Sequence, residues 1–72
     1  MAISDIEKLH GLAAEAEILR IQYTAGIFNY KIFQERAQSL KTHMDLILSD
    51  EDPKRIADYR ELINGTLELL RE

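Results

Sequence analysis

The amino-acid sequence predicts an all-α fold: a helical hairpin with one long and one short helix, oligomerising into an antiparallel four-helix bundle. Three observations predict it. Between Leu9 and Ile47 one set of positions never meets a charge: Leu9, Leu12, Ala16, Leu19, Tyr23, Gly26, Tyr30, Phe33, Ala37, Leu40, Met44 and Ile47. It steps three, four, three, four without a slip, as does the apolar seam of a long helix packed on another helix. A strong stop signal comes only at Ser49-Asp50-Glu51-Asp52-Pro53. Finally, the chain has 72 residues and no cysteine, so a small core must find its support in oligomerisation and not in disulfides or thiolate metal sites.

The elements follow in order. Ser4 or Asp5 can cap the first helix, and Glu7 is placed to complete a capping box from Ser4 and to complement the helix dipole. That helix is expected over residues 5–48, about 44 residues and ~66 Å long. A turn over 49–52 follows. Asp52 then serves as N-cap and Pro53 as the first helical residue, where its missing N–H costs nothing. The second helix is expected over 53–71, with Ile56, Tyr59, Ile63, Thr66 and Leu70 on one stripe and Leu62 and Leu69 widening it. The whole is a single helical domain.

A competing arrangement turns near Gly26. The segment Thr24-Ala25-Gly26-Ile27-Phe28-Asn29-Tyr30 has poor helix propensity, and a break there would close three helices into a monomeric three-helix bundle. Residues 27–33 could also pass for a short strand. The unbroken phase of the seam through Gly26 and the absence of proline favour the continuous helix. In that arrangement the short helix, ~28 Å long, covers only part of the long one, and the seam from Leu9 to Gly26 must be covered by a second copy.

Residue sizes along the seam select an antiparallel pair. In a parallel dimer Ala16, Gly26 and Ala37 would each face themselves and leave thin layers. With a twofold axis near Phe28, Leu9 meets Ile47, Leu12 meets Met44, Ala16 meets Leu40, Leu19 meets Ala37, Tyr23 meets Phe33 and Gly26 meets Tyr30. An axis between Thr24 and Ala25 matches sizes similarly, so the register stays open.

A second stripe, Ile18, Ile21, Ala25, Phe28 and Ile32, lies on nearly the opposite side of the first helix. Such a helix is either sandwiched between neighbours, here the second helices of two subunits, or carries a docking face. The docking reading centres on Phe28, rimmed by Arg20, Lys31 and Glu35; further along, Ser39 and Thr42 turn the face polar.

Composition narrows the function classes. The chain is 46% hydrophobic and 31% charged, with a net charge of -4, which suits a folded protein and not a partner of nucleic acid or anionic membrane. Arg20, Lys31, Arg36, Lys41, Lys54 and Arg55 are spread among thirteen acids, a solvated surface and not a basic footprint. No stretch is long and apolar enough for a membrane span, and no signal peptide opens the sequence, so a cytoplasmic location is expected. The sequon Asn64-Gly65-Thr66 carries no meaning without secretion.

Catalytic chemistry finds no foothold: no cysteine nucleophile, no glycine-rich phosphate loop, no inward acid–base pair. Glu7 and His10 have the Glu-x-x-His spacing of bundle metal sites, but they fall outside the seam at the start of the helix. Glu17 points outward too, and His43 and Asp45 diverge around Met44. Tyr23, Tyr30 and Tyr59 read as core residues with hydroxyls at the rim. No cofactor and no metal are expected. The expected function is that of a small, non-enzymatic adaptor, regulator or inhibitor that binds another protein as a helical homo-oligomer. A self-assembling structural subunit or secretion-type co-chaperone is the alternative, and a metal-binding bundle built on Glu7 and His10 the second.

Overall fold

The structure, a computed structural model describing residues 5–71, is all-helical over those residues. A 3-10 turn at Asp5–Glu7 leads into α1 (Lys8–Thr24), followed by α2 (Tyr30–Ser49), α3 (Pro53–Asp58) and α4 (Arg60–Leu69). The caps assigned to Ser4 and Asp5 fall outside the residues whose side chains are described, and Glu7 makes no side-chain capping bond at α1. The bundle measures 39 × 21 × 18 Å. α1 is its central helix, packed against α2 on one side and α4 on another.

The continuous helix expected over 5–48 is not formed. It breaks between Thr24 and Tyr30, and two local motifs explain why. Ala25 is the helical C-cap of α1, and Gly26 follows at φ 79°, in the left-handed region that glycine enters without a Cβ penalty. The Gly26 N–H donates to the Tyr23 carbonyl and the Ile27 N–H to the Gln22 carbonyl, each at 3.0 Å. This pair of bonds is the Schellman motif that satisfies the last carbonyls of a helix. Three residues later Asn29 is extended and its side chain accepts from the Ile32 N–H at 3.0 Å, an N-cap for α2. A glycine stop and an asparagine start thus sit inside the seam without disturbing its phase. The chain turns through residues 25–29 and folds back, as in the competing arrangement.

The second half matches its reading more closely. Asp52 accepts from the Lys54 N–H at 2.9 Å and Pro53 occupies the first turn of α3. The helix expected over 53–71 is interrupted once, at Tyr59, whose N–H reaches the Ile56 carbonyl at 3.0 Å before α4 begins. On either side of this tightened turn Ile56 and Ile63 join the same apolar cluster.

Two clusters make the core. Near the α1–α2 turn, Ala16, Leu19, Phe33, Ala37 and Leu70 are buried, with Tyr23, Phe28, Leu40 and Leu69 packed around them. At the other end Ile6, Leu9, Met44 and Ile63 are buried beneath Leu12, Ile47, Leu48, Ile56, Tyr59 and Leu62. Every large side chain of the expected self-association seam except Tyr30 is therefore in the chain's own core or packed on it; Gly26 and Tyr30, at the turn, are exposed. The fold-back supplies, from the same chain, the antiparallel neighbour that the sequence assigned to a second copy. This corrects the premise that the seam from Leu9 to Gly26 lies bare in one chain: α2 and α4 cover it from Leu9 to Tyr23, and Gly26 stays exposed at the turn.

The one buried polar residue among those described is Thr66, and its hydroxyl donates to the Leu62 carbonyl one turn back at 2.7 Å. At the turn end of the core, Arg20 Nη1 donates to the Arg71 carbonyl at 2.6 Å. The same guanidinium lies 5.6 Å from the Phe33 ring centroid, so it ties the end of α4 to α1 while covering the aromatic cluster.

Candidate interaction surface

The outward face of α1 is built by period alone. With the core on Leu9, Leu12, Ala16, Leu19 and Tyr23, a helix of 3.6 residues per turn sends Ile18, Ile21 and Ala25 to the opposite side. The second helix was expected to cover that side or to leave it as a docking face. α4 instead packs beside the core stripe, through Leu62, Ile63, Thr66 and Leu69, and the outward isoleucines stay in solvent. Ile18 is 55% exposed and Ile21 63%. Ala25 is exposed at the end of the helix.

The five stripe residues do not stay together. Because the chain turns, Phe28 leaves the line of Ile18 and Ile21 and folds onto the core. Its ring stacks beside Tyr23, with centroids 6.5 Å apart and planes 18° from parallel, and the Arg36 guanidinium sits 5.0 Å from its centroid. Phe28 is half-buried and does not stand at the centre of a face. Ile32, in the first turn of α2, is 38% exposed.

Three positions on this side were missed in the sequence. Ile27, in the turn, is 66% exposed, and its neighbours in the seam and stripe concealed it. Ala14 and Gly11 are exposed on α1 and continue the stripe toward the N-terminus with the same steps of four and three back from Ile18. Extending the three–four count backwards would have found them. The outward face thus runs from Gly11 and Ala14 through Ile18 and Ile21 to Ala25 at the turn.

A groove of about 310 Å³ runs along one flank of this face, lined by Ile18, Leu19, Leu40, Gln22, Glu15 and Arg36. It lies between α1 and α2, with apolar walls and one charge of each sign.

No family model, curated protein or solved structure matches the chain.

The residues considered for metal or proton chemistry are spread apart. His10 packs edge-on against Tyr59, with ring centroids 5.7 Å apart and planes at 67°; Glu7 is exposed. The His43 ring Nδ1 is 3.1 Å from the Ser39 carbonyl of its own helix. Among the described residues no group of three or more histidine and carboxylate side chains could hold a metal ion. Among the described residues no helix is long and apolar enough to cross a membrane.

Proposed function

We propose that this chain is a small protein-interaction module that acts by docking, not by catalysis, and that its contact surface is the outward face of α1 where it meets the turn to α2. The observation that carries the reading is the exposure of Ile18 and Ile21, one turn apart on a helix whose opposite face is already used by the core. Single exposed apolar residues are ordinary, but two large isoleucines at helical spacing, followed by exposed Ala25 and Ile27, are more apolar exposure than folding requires. A partner helix or groove takes such a run as anchors at i and i+3. Glu15 and Arg36 beside the flanking groove supply a polar rim of both signs.

The test is the double variant Ile18→Asp, Ile21→Asp in a capture experiment against the native source. Its circular dichroism and melting temperature are expected to match the wild type, because exposed substitutions change stability by less than about 0.5 kcal/mol each. A protein retained by the wild type and lost by the variant supports the reading. Loss of the fold, or identical capture by both chains, overturns it.

A structural reading also has an observation behind it. The stripe Gly11, Ala14, Ile18, Ile21, Ala25 repeats at coiled-coil spacing, a pattern suited to pairing with its own copy. In that case mass rises with concentration and the double variant abolishes the rise.

A further inference from the structure

We infer that this chain can exchange α1 between two copies: the turn at residues 25–29 straightens, α1 and α2 become one helix, and a second copy provides the α2 surface that α1 has left. The inference stands apart from the reading of the outward face, because it uses the core and not Ile18 or Ile21.

Three observations carry it. The seam residues Leu19, Tyr23, Gly26, Tyr30 and Phe33 keep three–four spacing across the turn. A loop between two helices has no need of helical phase. That Gly26 and Tyr30 continue it means that both halves of the core stripe fall on one side of a straight helix from Lys8 to Ser49. The contacts are also transferable. α1 and α2 pair antiparallel around Phe28 inside one chain, and two straight helices crossing at the same point pair the same residues between chains, Tyr23 with the partner copy's Phe33 equivalent and Leu19 with its Ala37 equivalent. A twofold axis at that crossing makes the exchange closed and symmetric.

The hinge itself is the third observation. It contains no proline, and Gly26 is the only described residue with a left-handed φ. Ala25 already has helical angles, φ -76° and ψ -4°. What holds the turn shut is the Gly26 conformation, the Schellman bonds, the Asn29 cap and the packing of Phe28 beside Tyr23 and Arg36. A Cβ built at Gly26 meets nothing within 4 Å, so a side chain there is opposed by the backbone angle alone and not by crowding. Alanine at 26 therefore strains the closed turn and favours the straight helix by the same change. Opening also returns Phe28 to the line of Ile18, Ile21, Ala25 and Ile32.

The experiment is light scattering with small-angle X-ray scattering on the wild type and Gly26→Ala, each refolded from urea at micromolar and millimolar concentration. The wild type is expected to be monomeric when refolded dilute and to contain a dimer when refolded concentrated. Gly26→Ala is expected to be mostly dimeric at both. The exchanged dimer must be elongated, since a helix through residues 8–49 alone is ~63 Å long, against a longest monomer dimension of 39 Å. A Gly-Ser-Gly insertion after Ile27 breaks the straight helix and should remove the dimer, whereas Ile18→Asp with Ile21→Asp should leave it. Should Gly26→Ala fail to fold, the concentrated wild type decides: no dimer, or one that survives the insertion, overturns the inference. A compact Gly26→Ala dimer, or a monomer at every concentration, overturns it as well.

Discussion

The Tyr23 ring stacks on the Phe33 ring with centroids 4.4 Å apart and planes 21° from parallel. The two residues lie on opposite sides of the turn, and Phe33 is 1% exposed. Tyr30 also approaches Tyr23, at 6.3 Å, and Arg20 reaches over Phe33. This aromatic group holds the closed end of the α1–α2 hairpin. Stacked pairs of this kind contribute about 0.5–1.5 kcal/mol beyond the area they bury.

Phe33→Ala should consequently be the most damaging single truncation on α2. Removing a buried phenylalanine costs about 3–5 kcal/mol, which is comparable to the whole stability of a domain this small. The expected outcome is a chain largely unfolded at room temperature by circular dichroism. Tyr23→Leu keeps most of the volume and loses the stack, and should cost only about 1 kcal/mol. If Tyr23→Leu melts with the wild type, the stack adds nothing to the burial of the two rings; if it melts as low as Phe33→Ala, the stack and not the buried volume carries the loss.

How much of this was legible in the sequence divides along physical lines. The core was readable because burial leaves a periodic mark, and Leu9, Ala16, Leu19, Phe33, Ala37 and Met44 carry it. Asp52 and Pro53 were readable because a cap and a proline at N1 are local chemistry. The turn at 25–29 was harder, since a three–four pattern reports which residues share a face and not whether the axis bends between them. Gly26 and Asn29 held the answer as a stop and a start, but each also fits within a helix at a modest cost. Phe28 was misplaced for the same reason: its neighbours depend on the turn and not on the period. The outward isoleucines were found because they needed only α1 to be helical.

Asn29→Ala should lower stability by about 1 kcal/mol through loss of the cap to Ile32. For a domain of this size that is a drop in melting temperature of roughly 4–8 °C, measured at micromolar concentration. Asn29→Asp keeps an acceptor and adds a favourable charge at the helix start, so it should melt at or above the wild type. An unchanged Asn29→Ala would mean that the turn is held by Gly26 and the Schellman bonds without help from the cap.

Leu70 lies beyond the last residue of α4 and is 2% exposed, in the cluster with Ala16, Leu19 and Phe33. The Arg20 bond to the next carbonyl pins it there. Leu70→Ala should cost about 2–5 kcal/mol, as for other buried leucines. Arg20→Met retains an apolar stem but loses the bond, and should cost about 1.5–3 kcal/mol at most for a charged hydrogen bond, less where solvent screens it. Urea titration of both variants tests whether the chain end is structural.

Thr66 offers the opposite case, a buried polar residue whose loss should do little. Its hydroxyl bonds only to the Leu62 carbonyl of its own helix, an acceptor that also serves the helical ladder. Replacing the hydroxyl by a methyl group leaves no buried donor or acceptor newly unpaired, so the desolvation penalty of an orphaned group does not arise. The shape is kept as well, and valine suffers only its stiff χ1 in a helix. Thr66→Val should therefore change stability by less than about 1 kcal/mol, with stabilisation the expected sign because burying the methyl is favourable. Thr66→Ser keeps the bond and deletes the methyl, and should be the more damaging of the two. Should Thr66→Val prove the worse variant, the hydroxyl would have to serve α1 directly, across the groove formed by Ala13, Glu17 and Gly65.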